Sequence, residues 1–135
     1  MDTGKQFLFA FILFIIFDLI WLGFIMRDFN MRQLAELGRI EDGKMSILYT
    51  PALLVYLLMA AAVVFFVLPR LGLEASVLEA FLWGGAMGLI VFGVYDLTNL
   101  AVLKNYPVPL VLADIGWGIA VFGVVTTILT KVKVG

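Results

Sequence analysis

Cysteine and histidine are both absent from the 135 residues. That excludes disulfides, thiol chemistry, zinc sites of the usual kind and histidine-ligated haem. It also excludes every Ser-His or Cys-His nucleophile arrangement. Charge is scarce: 14% of residues are charged, where an average soluble domain has about a quarter. The formal net charge of −1 gives no electrostatic basis for binding nucleic acid. Asp, Glu, Lys, Tyr and the backbone remain as the chemical repertoire.

Apolar side chains are what the sequence has in quantity, at 64% of residues. No soluble fold of this size has enough interior to hide them. Lipid is the implied solvent and a single domain over 1–135 the implied organisation. Four apolar runs, at about residues 7–26, 46–68, 80–101 and 108–130, each have the roughly 20 residues a bilayer core requires. Each must be helical, because hydrocarbon offers no partners for free backbone groups. The expected fold is an all-α four-helix transmembrane bundle. Phe24-Ile25-Met26-Arg27 is a poor match to a cleavage site, so the first run reads as a retained span rather than a signal peptide.

The connections differ in character. Residues 27–44 carry four bases (Arg27, Arg32, Arg39, Lys44) and four acids (Asp28, Glu36, Glu41, Asp42). Met31, Leu34, Leu37 and Ile40 recur there at helical spacing, which favours a short helix lying in the interface over a solvated loop. Residues 69–79, opened by Pro69, and 102–107, ending in Tyr106-Pro107, are short enough to force antiparallel neighbours. Lys5, Arg70, Lys131 and Lys133 fall on one side, and Arg27, Arg32, Arg39, Lys44 and Lys104 on the other, so the positive-inside rule leaves orientation nearly balanced. Phe17-Asp18-Leu19 with Leu22 parallels Tyr95-Asp96-Leu97 with Leu100, and Pro51 and Pro109 stand near the starts of spans two and four. This pattern suggests two repeated helical hairpins.

Three residues are out of place in hydrocarbon. At 1.5 Å per residue, Asp18 falls about 2 Å past the centre of its span, and Asp96 and Asp114 about 8 Å from the centres of theirs. With the spans alternating in direction, all three are displaced toward the face that carries residues 27–44. A lipid-facing carboxylate costs at least about 2.5–3.5 kcal/mol, so the three are expected to face one another or a wet cavity. Close carboxylates cannot all ionise cheaply, which predicts a shared proton. Their helical neighbours suit this: Trp21 follows Asp18 by three, Asn99 follows Asp96 by three with Thr98 beside it, and Trp117 follows Asp114 by three. Indole N–H groups and the Asn amide donate to carboxylates. Tyr56 falls mid-span, Tyr95 adjoins Asp96, and Lys104 stands two turns beyond Asp96, as Arg27 stands beyond Asp18. Tyr49, Thr50 and Tyr106 add hydroxyls near the same rim. The candidate pocket is therefore Asp18, Trp21, Tyr56, Tyr95, Asp96, Thr98, Asn99, Lys104, Asp114 and Trp117. The same residues would also serve as interhelical hydrogen-bonding glue.

Trp83, at the start of span three, reads as an interface anchor. Gly84 with Gly88, Gly116 with Ala120, and Ala60-Ala61-Ala62 let helix backbones approach closely. The phenylalanines of span one read as lipid-facing bulk.

Asp18-x-x-Trp21-Leu22-Gly23, Tyr95-Asp96-Leu97-Thr98-Asn99, Leu103-Lys104, Pro107 and Asp114-x-x-Trp117-Gly118 together resemble the bacterial four-helix membrane family catalogued as domain of unknown function 2177. The resemblance covers nearly the whole chain, with Tyr-Asp-Leu-Thr-Asn its most specific part. It implies the four-helix fold, these signature residues and a multi-pass place in the bacterial inner (cytoplasmic) membrane. It brings no activity, substrate or cofactor.

The leading functional expectation is binding or transport of a proton, a cation or a small polar or amphipathic ligand through the acidic pocket. Membrane lipids are the expected surroundings, no cofactor or metal is implied, and a conduit built from four spans calls for a homodimer. An intramembrane lipid-modifying enzyme is the runner-up, with Asp18 or Asp114 as general acid or base and Lys104 or Arg27 holding a phosphate. A structural or regulatory subunit is the third reading.

Overall fold

The computed structural model describes residues 2–72 and 74–132. Lys133, counted above among the charges at one end, lies outside them. Among the described residues four helices are long and apolar enough to cross a membrane: Thr3–Ile25, Tyr49–Arg70, Val77–Val102 and Val108–Lys131. The chain is an all-α membrane bundle. The four expected spans are present, with their ends displaced by no more than four residues from those expected.

Helix α1 (Thr3–Ile20) starts where Asp2 accepts a hydrogen bond from the Lys5 amide at 2.8 Å, and it widens into a π-helical turn at Trp21–Ile25. Helix α3 (Tyr49–Ala61) runs on through a π-helical turn (Ala62–Val67) and a 3₁₀ turn (Leu68–Arg70) in which Pro69 stops it. Helix α4 (Val77–Val102) opens with a reciprocal box, the Ser76 hydroxyl on the Glu79 amide and the Glu79 carboxylate on the Ser76 amide. Helix α5 (Val108–Lys131) begins beside Pro109, whose missing N–H costs nothing in a first turn.

Residues 27–44 are only half helical, which corrects the expectation of one interfacial helix. Helix α2 (Arg27–Gln33) ends where the Gly38 amide turns back to the Leu34 carbonyl at 2.7 Å. A two-stranded hairpin follows, β1 (Ile40–Glu41) against β2 (Lys44–Met45), with Ile40 opposite Met45. Asp42 and Gly43 make its turn with φ of 50° and 72°, the left-handed pair that such two-residue connections need. The apolar spacing of 31, 34, 37 and 40 runs across this boundary and hid it.

Helix α4 packs most extensively against α5, and α1 leans on α3 and α5. With lipid outside, contact and not water exclusion holds helices together, so close approach matters. Here Gly88 lies against the Gly118 backbone, Gly84 against Thr126 and Phe122, Gly118 against Phe92, and Gly123 against Phe81. A methyl group on Gly88 would overlap the facing backbone. Gly84 and Gly88 thus pack inside the chain as expected. The pair Gly116 and Ala120 does not: Gly116 is exposed with open space beside it, and Gly118 and Gly123 take that part on α5.

The apolar core fills the end of the bundle near the start of α1. Phe14 and Phe122 are fully buried with ring centroids 4.8 Å apart, among Ala10, Met59, Ala60, Val63, Val121 and Val125. Phe7, Phe9, Phe11 and Phe17 pack against this core, so most phenylalanines of span one are interior packing, whereas Phe24 is 83% exposed and is lipid-facing as expected. At the same end the Arg70 guanidinium lies 5.0 Å over the Trp83 ring, and Lys131 Nζ donates to the Ala75 carbonyl at 3.1 Å. Within its most apolar stretch, only 17% of the first span is buried in the bundle, which leaves most of its surface for hydrocarbon.

Candidate functional site

The buried residues of α1 are Ala10, Phe14 and Asp18, spaced by four. The apolar stripe that makes the core therefore ends in a carboxylate. Similarly, Ala80, Gly84, Gly88 and Asp96 are all buried on α4, at multiples of four. Aspartates that continue a packed stripe must point inward, and both do.

Asp18 is 8% exposed and joins three helices. The Tyr56 hydroxyl from α3 donates to its Oδ2 at 2.8 Å, and the Trp117 indole N–H from α5 donates to Oδ1 at 2.7 Å. The Trp21 ring, in the π-helical turn, stacks on Trp117 with centroids 4.5 Å apart and planes 4° from parallel. Each carboxylate oxygen thus has one donor, with room for another, since an ionised carboxylate offers about four acceptor positions.

Asp96 is fully buried. The Tyr106 hydroxyl donates to its Oδ1 at 2.9 Å. Asp96 Oδ2 has no donor among the described residues, and the carboxyl beside it is that of Asp114. Two carboxyl groups hydrogen-bond to each other only if one of them carries a proton. Asp114 is also near enough to Asp18 for their charges to interact, so the three acids form one zone. Tyr106 lies outside the spans, in the turn where Asn105 adopts φ 61°. Burial, and after it the adjoining Asp96, push its phenol above the ordinary range, while Asn99 pulls the other way. It is a neutral donor at ordinary pH.

Of the ten candidate residues, Asp18, Trp21, Tyr56 and Trp117 meet in one cluster and Asp96, Asp114 and Asn99 in an adjoining one. Tyr95 and Thr98 are not brought to the carboxyls. They stand roughly 100° and 200° around α4 from Asp96, and both are exposed, Tyr95 by 58%. Lys104 does not reach back to Asp96 either: α4 ends at Val102, Leu103 is extended, and the lysine is exposed. Arg27 pairs with Asp28 at 3.2 Å instead of turning to Asp18.

Two residues of this region escaped the sequence reading. Tyr106 was visible only as a rim hydroxyl, because a turn residue ten positions from Asp96 follows no helical rule. Asn30 is 8% exposed on α2, and its Nδ2 has no partner among the described residues. Its neighbours Phe29 and Leu34 pack on Tyr106, Leu110 and Val111, so α2 covers the Tyr106 end of the acidic zone.

No curated protein and no solved structure matches the chain. A family model does, under the description "Predicted membrane protein (DUF2177)", over residues 3–130. That match takes in three spans whole, the fourth to within one residue of its end, and every residue of the acidic zone, and the chain is a multi-pass integral membrane protein belonging to this family.

Proposed function

We propose that this protein binds, and in a dimeric form transports, a proton together with a small cationic or polar ligand through its acidic interior. The observation that carries this reading is a charge imbalance. Asp18, Asp96 and Asp114 lie within the four spans, while the bases nearest to each span stand at or beyond its ends: Lys5, Arg27, Arg70, Lys104 and Lys131. No lysine or arginine pairs with the three acids among the described residues. An ionised carboxylate in such surroundings demands neutralisation. Protons or a cation from outside the chain must supply it.

The Asp96–Asp114 pair suits a proton, because Asp96 Oδ2 has no other donor. Infrared difference spectroscopy on the purified protein tests this. A carbonyl stretch from a protonated carboxylic acid near neutral pH is expected in the wild type. It should disappear in both Asp96→Asn and Asp114→Asn. A wild-type spectrum without that band refutes the reading.

The enzyme reading draws less support, since it needs a cation beside the acids to hold a phosphate, and both candidates, Lys104 and Arg27, lie elsewhere. One observation favours interhelical glue at a single position: both oxygens of Asp18 are already bonded. Glue alone leaves the bare Asp96 oxygen unexplained.

A further inference from the structure

The two acidic clusters differ in what surrounds them. The Asp96–Asp114 pair is two carboxyls with a phenol and an amide. Asp18 is a single carboxyl among three aromatic side chains, Tyr56, Trp21 and Trp117, and it keeps about two unused acceptor positions. We infer that Asp18 and these three rings form a recognition site for an organic ammonium ion. The inference rests on the reading that cations from outside neutralise the acidic interior.

The chemistry separates the cation classes. A divalent metal ion needs six or more oxygen ligands, or several acidic side chains. Asp18 and the Tyr56 hydroxyl present three oxygens. Among the described residues no three metal-binding side chains are grouped to hold an ion. An alkylammonium ion carries its charge inside an apolar shell. It needs one carboxylate for the charge and aromatic faces for the shell. The parallel indoles hold each other in place, so their outer faces are preorganised and lose little freedom on binding. Trp21, Tyr56 and Trp117 are each partly exposed, so the aromatic rim of the cluster reaches the surface of the bundle. Any cation seated here also acts on Asp114, whose charge interacts with that of Asp18. Ligand at the aromatic cluster and proton at the carboxyl pair are therefore electrostatically coupled.

The test uses benzyltrimethylammonium and its uncharged isostere neopentylbenzene. Binding is followed by tryptophan fluorescence of the detergent-solubilised full chain, in a Trp83→Phe background so that only Trp21 and Trp117 report. A saturable change is expected with the ammonium, and none with the isostere or with potassium chloride. Asp18→Asn should weaken binding at least about tenfold, the loss of one charge partner. Trp21→Leu leaves both donors on Asp18 and should weaken binding about 2- to 30-fold, the range of a cation–π contact. If Asp18→Asn does not fold, Trp21→Leu decides alone. Equal response to the isostere, or affinity unchanged by these substitutions, overturns the inference. No saturable ammonium binding alongside an intact infrared band refutes the ligand class and leaves the proton reading standing. Loss of both signals in the wild type refutes both.

Discussion

The hydrogen bond between Tyr56 and Asp18 offers a measurement of the charge held inside the bundle. The hydroxyl lies 2.8 Å from Oδ2, within the normal range for an O–H donor, and its partner is 8% exposed. If the acceptor is an ionised carboxylate, the bond contributes about 1.5–3 kcal/mol. Between neutral groups in a membrane protein the average is about 0.6 kcal/mol, with a ceiling near 1.7. A double-mutant cycle of Tyr56→Phe, Asp18→Asn and the pair separates these cases, because the asparagine keeps an acceptor and loses the charge. Stability is read as helical circular dichroism during titration with a denaturing detergent. We expect Tyr56→Phe to destabilise the wild type by about 1.5 kcal/mol or more and the Asp18→Asn background by about 0.6 kcal/mol or less. A coupling of roughly 0.3 kcal/mol or less is the scatter of independent sites, and would show that this bond carries no charge-dependent energy.

Four further outcomes follow from the same geometry. Gly88→Ala places a methyl group against the Gly118 backbone and should lower the thermal midpoint by an amount equivalent to about 1–3 kcal/mol, whereas Gly116→Ala, facing open space, should leave it unchanged or slightly raised. Stacked indoles couple their transitions, so the near-ultraviolet circular dichroism should contain a paired band that disappears in both Trp21→Phe and Trp117→Phe and persists in Trp83→Phe. Tyr106 has a folded-state value raised above the ordinary value near 10; the unfolded chain therefore loses that proton first, and stability should fall as pH rises above about 10. The fall should be smaller in Tyr106→Phe when both proteins are titrated with denaturing detergent across that range. Asn30→Leu removes a buried amide donor that has no partner among the described residues and should raise stability by about 1 kcal/mol in the same titration, unless that donor serves a bound molecule.

Spans and acids were legible in the sequence for one physical reason: hydrocarbon imposes a length on each helix and a penalty on each charge. Runs of apolar residues could only be helices of about the right length, and Asp18, Asp96 and Asp114 could only point inward. Helical spacing also reached Trp21 and Asn99, because i and i+3 share a face. It failed wherever the chain left the helix. Lys104 stands beyond the helix end at Val102, and Tyr106 reads only as a rim hydroxyl because its approach to Asp96 runs through a turn with a left-handed Asn105. Tyr95 and Thr98 were included for their place in a specific-looking run, although adjacency along a helix turns a side chain away from its neighbour. The Asp42-Gly43 dipeptide was a readable hairpin signal, masked by an apolar period that continued through it.

The bundle is built unevenly, and the unevenness bears on function. Where α4 and α5 press together, the facing helix leaves no room for a side-chain carbon at Gly84, Gly88, Gly118 or Gly123. The glycine contacts and the Phe14–Phe122 core make that end rigid. At the other end hydrogen bonds to carboxyls stand beside the stacked indoles and the apolar packing of the α2 segment on Tyr106, Leu110 and Val111. The hydrogen bonds to carboxyls depend on protonation, whereas glycine packing does not. A proton gained or lost by the Asp96–Asp114 pair changes the bond to Tyr106, and Tyr106 belongs to the apolar cluster against which Phe29 of α2 and the following Leu34 pack. Any movement driven by protonation should therefore centre on α2 and the start of α5. The segment from Phe81 to Gly88 is held by glycine and phenylalanine packing on α5 and should stay fixed.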